Sequence, residues 1–428
     1  MNNKKNVLIF PANSPDVYRS LKDNLHFDVY GAIGREDHSK FIFPADKYVA
    51  TEKLFITDPL FIDNLNELLS EWNIDFIMPT HDTIAYYLVE NQAKINATVI
   101  CSPLETAKIA ENKYLMYELL GNEEYYPVVY ENDSEDIVYP VFLKPYVAAG
   151  AKGTVKVNNR DELKRALTNN KDLLICEYLP GEECTVDCFT NSKGELMFAG
   201  PRSRNRITNG ITYQSERLPL TDEIYNIAKD LNSKLVFRGA WFFQLKKDAH
   251  GKYKFMEFSV RQAGTMSFYR QLGVNFALLS LFDFMGMPVK ILFNDLDLKL
   301  DRGIETFYDI SYDYDALYLD YDDTLIVNDK VNTTLIQVIY QAHNKGKKVY
   351  LLTKHEGVLQ ESFKRFYLSK DMFDEIILIE PNKNKAEYIR HTKAVFVDNY
   401  FPERLHVKEI LGIPVFDVDA AECLIDYR

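Results

Sequence analysis

Short apolar runs alternate with amphipathic stretches across residues 1–105. NVLIFPA, FDVYGAI, DFIMPTH and TVICSP read as strands, and residues 17–24, 59–72 and 83–93 between them read as helices. That alternation predicts a parallel, doubly wound α/β sheet, which binds ligands at the carboxyl ends of its strands. Asn13, Thr80, His81 and Asp82 fall at those ends. No GxGxxG follows the first strand, so the pattern does not favour a dinucleotide. Helices open again at Leu104 and at Glu111-Asn112-Lys113, ahead of two strand-like runs, YPVFLKP and LLICEYL.

The stretch 237–264 reads as a hairpin, GAWFFQL and KYKFMEF, turning through Asp248-Ala249-His250-Gly251. Strand alternation puts Gln244, Glu257 and Ser259 on one face, and oxygen donors of that kind suit magnesium shared with substrate phosphates. Arg261, two residues on, is placed to reach the same phosphates. After about residue 300 the strand pattern restarts. ALYLDYDDTLIV ends an apolar strand in Asp320 and Asp322, VYLLTKH ends in Thr353, and AVFVDNYFPER ends in Asp398. Strands that each deliver a polar group at the carboxyl end assemble a site in a doubly wound sheet, with Asp320 a nucleophile, Asp322 a general acid or base and Asp398 a magnesium ligand.

A length of 428 residues with 46% hydrophobic content predicts about three domains or lobes with ample cores. The net charge of −13 argues against nucleic acid or an anionic membrane as partner, so any bound phosphate must be held by local groups. The five cysteines include no CxxC pair, which points to reduced thiols, and no apolar run is long enough to span a bilayer. A cytoplasmic protein is expected.

Three further patterns bear on chemistry. Lys144 ends a buried strand and precedes a loop with Gly150 and Gly153, whose small residues let backbone N–H groups approach phosphate oxygens. Glu177-Tyr178-Leu179-Pro180-Gly181 breaks a strand as a hinge between lobes would, with Glu177 placed for an adenine amino group and Glu183 for a ribose. Arg202, Arg204 and Arg206 alternate, so one strand would aim three guanidiniums to one face, where they repel unless an anion lies between them.

Lys113, FLKPYVAAGAKGT, CEYLPGEECTVD, the arginine strand and Gln244 with MEFSVR form an ordered set that resembles the ATP-grasp superfamily over roughly residues 1–300. The likeness is nearest the branch with carbamoyl-phosphate synthetase and biotin carboxylase. It implies that Lys113 and Lys144 contact ATP phosphates, that the Gly150 to Gly153 loop closes over them, and that Glu177, Tyr178 and Leu179 hold adenine with Glu183 at the ribose. Gln244, Glu257 and Ser259 become the magnesium (or manganese) ligands, with Arg261 at substrate or phosphate. The family usually has Asn where Ser259 stands and often an acid where Gln244 stands. DxDxT at Asp320, Asp322 and Thr324 resembles the haloacid dehalogenase-like (HAD) phosphatases over about residues 314–428. That match makes Thr353 the second-motif hydroxyl and Lys385 the lysine that steadies the phosphoryl group, with Lys383 its competitor, and adds Asp320 and Asp322 to Asp398 at the metal. About thirty residues separate the first two motifs, too few for a large cap.

The expected architecture is therefore α/β: a Rossmann-like pre-ATP-grasp domain (1–105), an ATP-grasp domain of two lobes (106–300), a linker (301–313) and a HAD-like doubly wound domain (314–428). The expected function is ATP-dependent ligation of a small-molecule carboxylate to an amine through an acylphosphate, fused to a magnesium-dependent phosphatase. Arg202, Arg204 and Arg206 would face the acceptor. A nucleotide sensor without turnover and a kinase of bicarbonate or carbamate are the alternatives. The substrates and the oligomeric state, a homodimer among the options, stay open.

Overall fold

The computed structural model describes residues 4–121, 123–132, 134–148, 152–170, 172–208 and 210–428. The chain divides into two compact units, Met1–Ile304 and Glu305–Arg428.

The first unit opens with a five-stranded parallel sheet. Lys5–Phe10 lies at its centre, flanked by Phe27–Ile33 and then Tyr48–Ala50 on one side, and by Phe76–Pro79 and then Thr98–Val99 on the other. Val7, Leu8 and Ile9 are wholly buried, as a central parallel strand requires. Tyr48–Ala50 escapes the sequence reading because it is a half-buried edge of three residues with no apolar run. The Thr80 hydroxyl donates to Pro11 O at 2.6 Å, and Asp82 opens the helix Asp82–Glu90 at the strand end.

Two antiparallel sheets follow. The smaller joins Val129–Tyr130, Leu173–Glu177, Val141–Pro145 and Val155–Val157 around a core of Val141, Leu143, Leu163 and Ile175. The larger runs in the order Leu196–Ser203, Glu183–Thr190, Gly239–Lys247, Tyr253–Ser259. The first strand of the 239–259 hairpin is thus interior, with a neighbour on each side, and the second forms the edge of the sheet. Trp241 stacks on Phe237 with ring centroids 3.8 Å apart and donates Nε1–H to Thr190 Oγ1 at 2.9 Å. Gly251 turns the hairpin at φ 80°, where the Asp248 carboxylate accepts from the backbone of His250 and Lys252.

A three-stranded sheet of Arg206–Thr208, Ile211–Glu216 and Lys299–Asp301 corrects two expectations. Asp301, assigned to a linker, ends a paired strand. Arg202, Arg204 and Arg206 do not share one strand: Leu196–Ser203 stops before Arg204, and Arg206 starts a different sheet.

The second unit holds another five-stranded parallel sheet, ordered Glu375–Leu378, Lys348–Thr353, Ala316–Leu319, Ala394–Val397, Val415–Phe416. Alternate residues of its central strand feed two cores, Leu317 and Leu319 on one face and Ala316 and Tyr318 on the other. Between the first two site-bearing strands lie a helix, Thr333–Asn344, and a small hairpin, Ile326–Val327 with Lys330–Val331, turned by Asn328 and Asp329 at φ 52° and 55°. Among the described residues no helix is long and apolar enough to cross a membrane.

Candidate functional site

Two adjoining cavities lie in the first unit. The smaller, about 190 Å³, is lined by Lys113, Lys144, Glu177, Tyr178, Leu179, Glu183, Gln244 and Glu257 among others. The larger, about 480 Å³, is lined by Arg202, Arg204, Ser259 and Arg261, and by Asn13, Thr80, His81 and Asp82 from the strand ends of the parallel sheet. Lys113, Arg204, Gln244 and Glu257 line both. Residues scattered over more than 200 positions of sequence meet here.

Lys113 begins the helix Lys113–Leu120, capped by the Asn112 side chain. A cation there opposes the helix dipole, so local stability does not account for it. Its Nζ donates to Ala148 O at 2.8 Å and lies 3.2 Å from Glu257 Oε2. Lys144 is only 7% exposed; its Nζ donates to the Tyr117 hydroxyl at 3.2 Å, and none of the ion pairs among the described residues includes it. Gly150 lies outside the described residues. Gly153 has φ 76°, and a Cβ there would come within 2.9 Å of the Pro145 ring.

Several expected contacts are already used within the protein. Glu177 Oε1 accepts from Val128 N at 3.0 Å, which ties the strand end to its neighbour. Lys156 Nζ sits 4.0 Å from the centre of the Tyr178 ring, and Leu179 is buried. Glu183 lies 2.5 Å from Arg204 Nε and 3.6 Å from Lys246 Nζ, so it acts as a counter-ion before it can meet a ribose.

The arginines are corrected in the same way. Arg202 makes a two-pronged pair with Asp187, at 2.7 and 3.1 Å, and both side chains are essentially sealed from solvent. Burial raises the Asp187 carboxyl above its usual range even against the Arg202 charge. Arg206 is exposed, pairs with Asp301 and donates to Arg302 O at 3.0 Å, and lines neither cavity itself. Each arginine has its own carboxylate, so their mutual repulsion requires no bound anion.

Gln244 and Glu257 stand directly opposite each other across the hairpin, next to a register shift between Gln244 and Leu245. Ser259 departs from the expected metal set: its hydroxyl donates to Asp82, whose other oxygen accepts from Arg261 at 2.7 Å. Burial pushes the Asp82 carboxyl up, but Arg261 and the Ser259 hydrogen bond outweigh it and hold the group below its usual range. Burial lowers His81 beside it. The strand-end rule marks Asp82 in the sequence, yet nothing in residue spacing links it to positions 259 and 261.

In the second unit, Lys385 Nζ bridges Asp320 Oδ1 at 2.7 Å and Asp398 Oδ2 at 2.5 Å, with Lys385 itself 3% exposed. Lys383 is exposed. Burial raises the carboxyls of Asp320 and Asp398 above the usual range, and their charges hold Lys385 in its charged form despite burial. Thr353 Oγ1 is buried with no hydrogen-bond partner among the described residues, at the end of its strand. Asp322 departs from the expected metal set: it turns to His355 Nδ1 at 2.9 Å. His355 escapes the sequence reading because it follows the strand, two residues beyond Thr353. Among the described residues no group of three or more His, Cys, Asp or Glu gathers as a metal site, since Lys385 and His355 take up the acids in one unit and only Glu257 is acidic in the other set.

Residues 169–299 match the family model described as ATP-grasp in the biosynthetic pathway with Ter operon. The arginine-specific large chain of carbamoyl phosphate synthase from Bacillus subtilis (strain 168) is 25% identical over 166 residues, 35% of this chain and 16% of the relative. A formate-dependent phosphoribosylglycinamide formyltransferase from Prochlorococcus marinus (strain NATL2A) is 22% identical over 230 residues, 48% of this chain and 59% of the relative. The chain thus spans less than two thirds of each of these two relatives. Among solved structures, the biotin carboxylase domain dimer of Hydrogenobacter thermophilus 2-oxoglutarate carboxylase, with MgADP, ADP and bicarbonate, superposes with TM-score 0.56 at 17% identity, covering 68% of this chain and 72% of that one. The L-amino acid ligase of Bacillus licheniformis gives 0.54 at 20% identity, with 66% and 74% covered. N5-Carboxyaminoimidazole synthetase from Staphylococcus aureus with ADP gives 0.55 at 13%, with 68% and 79% covered. The matched family model and these neighbours support an ATP-grasp fold for this chain.

Proposed function

We propose that the first unit is an ATP-dependent carboxylate–amine ligase. The observation that carries the reading is the shared wall: Lys113, Arg204, Gln244 and Glu257 border both the smaller cavity and the larger one. ATP in the smaller cavity would set its γ-phosphate at that wall, with Lys113 and Lys144 on its oxygens. Gln244 and Glu257 fit a single magnesium, which shares its shell with phosphates and needs few protein ligands. Bound there, magnesium would screen the phosphate charge. A carboxylate held in the larger cavity attacks the γ-phosphorus, the bond to ADP breaks, and an acylphosphate forms. An amine then attacks the acyl carbon, phosphate leaves, and the amine proton passes to solvent. Lys113 and Lys144 stabilise the charge that grows on the transferred group.

The second unit is read as a phosphatase in which the Asp320 carboxylate attacks phosphorus while Lys385 and the Thr353 hydroxyl hold the phosphoryl oxygens; the bond to the ester oxygen breaks as Asp322, oriented by His355, protonates that oxygen, and water then hydrolyses the aspartyl phosphate to release phosphate and restore Asp320. Asp320 and Asp398 are the acids there that suit magnesium.

The test of the ligase is ADP release from magnesium-ATP across a panel of carboxylates and amines, in an Asp320→Asn variant that keeps the second unit silent. Release that requires both partners supports it. A sensor without turnover is favoured by one feature, the engagement of Ser259 by Asp82 that thins the metal set. ATP binding with no ADP release for any pair would select that reading.

A further inference from the structure

The larger cavity of the first unit carries charge that its internal pairs leave over. Four of its cations have a carboxylate each: Lys113 with Glu257, Arg202 with Asp187, Arg204 with Glu183, and Arg261 with Asp82. Arg302 has none. It follows the strand Lys299–Asp301, its backbone N–H donates to Tyr213 O at 2.8 Å, and among the described residues no ion pair includes its guanidinium. Two acids on the cavity wall are also left over. The Asp16 carboxylate accepts from the Ser267 hydroxyl at 3.1 Å and Glu111 from the Thr83 hydroxyl at 2.8 Å, and neither has a cationic partner among the described residues.

Two residues of the same wall also carry a buried polar atom that their own contacts leave unmatched. Arg202 Nη1, a donor, and Gln262 Oε1, an acceptor, have no hydrogen-bond partner among the described residues, in side chains 1% and 7% exposed. Buried polar atoms are nearly always satisfied, and leaving them unmade weakens the fold. One seeks an anion and the other a donor. A simple anion on Arg302 would share the cavity with Asp16 and Glu111, two acids without an ion pair among the described residues, and a simple amine would leave Arg302 and Arg202 Nη1 unmet.

We propose that the molecule bound in this cavity is a small zwitterion of the α-amino acid type, its carboxylate on Arg302 and Arg202 Nη1 and its ammonium on Gln262 Oε1 together with Asp16 or Glu111. A volume of about 480 Å³ accommodates such a molecule. The assignment rests on the ligase reading and names its substrate class.

The experiment uses the full chain. Thermal melting with magnesium-ADP present is measured for each of the twenty L-amino acids, and ADP release from magnesium-ATP is followed in parallel. For the amino acid with the largest shift, its N-acetyl derivative and the amine lacking its carboxylate are compared. The expected result is a melting shift with the amino acid and with neither derivative. Arg302→Gln should weaken half-saturation about tenfold or more, the loss of one charge-assisted contact, without lowering the melting temperature of the free protein. One of Asp16→Asn and Glu111→Gln should do the same and identify the ammonium's partner. Equal binding of either derivative, no shift with any of the twenty, or an unchanged affinity in Arg302→Gln overturns the proposal. An Arg302-dependent shift without ADP release when that amino acid is paired with any carboxylate or amine of the panel keeps the zwitterion site and sinks the ligase reading. ADP release by simple carboxylates and amines with no amino-acid shift does the reverse.

Discussion

Replacing Lys144 by methionine separates a nucleotide contact from a structural one. The side chain is 7% exposed, its ammonium meets the Tyr117 hydroxyl at 3.2 Å, and the Tyr117 ring centre is 5.5 Å away. Methionine keeps the unbranched stem in the same packing and removes the charge. The free protein then loses one hydrogen bond and the cost of desolvating an ammonium, two effects of opposite sign, so its melting temperature should hold or rise. Binding should respond differently. A charge-assisted hydrogen bond to a phosphate oxygen is worth about 1.5–3 kcal/mol, which weakens ATP roughly tenfold to a hundredfold. At magnesium-ATP one hundred times the parent dissociation constant, ligand stabilisation is ~2.7 kcal/mol; a tenfold weaker variant retains ~1.4 kcal/mol, and a hundredfold weaker one still less. Melting curves with and without magnesium-ATP read the difference. An ATP-dependent shift as large in Lys144→Met as in the parent would refute the assignment of the smaller cavity to nucleotide.

Three other outcomes follow from the same structure. Asp187→Asn strands the buried guanidinium of Arg202, so denaturant unfolding of the first unit should show a loss of about 3–5 kcal/mol; a loss below about 1 kcal/mol would mean that the pair is solvated. Burial raises the Glu111 carboxyl, so its ionisation weakens the fold as pH climbs through the raised pKa. Glu111→Gln should therefore melt higher than the parent at neutral pH, with the advantage fading as pH falls and Glu111 protonates in both states; a difference independent of pH would contradict this. In the second unit, Lys385→Met should abolish p-nitrophenyl phosphate turnover and Lys383→Met should leave it intact, because only Lys385 reaches Asp320 and Asp398. Equal loss in both variants would remove the basis for choosing between the two lysines.

Much of the architecture was legible because it rests on local periodicity. NVLIFPA could be read as a strand of a parallel sheet, since a strand buried on both faces has no place for polar alternation, and the structure then set Lys5–Phe10 at the centre. GAWFFQL and KYKFMEF had to form a hairpin around the Asp248 to Gly251 turn, but the register that turn sets would put Gln244 opposite Met256; the shift between Gln244 and Leu245, which the sequence does not show, brings Glu257 opposite it instead. Lys144 stood out as a cation that ends a buried strand, and Lys113 through the ordered motif set of the resemblance. Failure came where the decisive partner lies far along the chain. Alternation alone put Arg202, Arg204 and Arg206 on one face, but the strand ends at Ser203 and Asp187, Glu183 and Asp301 claim the three guanidiniums separately.

Local order, then, was written into the chain: the strand and helix periods, the turn at Gly251, the helix start at Asn112, and the side of each strand on which a polar group falls. The charge balance of the site was decided by folding. Asp82 meets Ser259 and Arg261 across more than 170 residues of sequence, Lys385 rather than Lys383 enters the acid pair, and Arg302 reaches the cavity without a partner. Periodicity is a property of neighbouring residues, which share backbone geometry. An ion pair depends on distance in space, and only the packing of the sheets sets that distance.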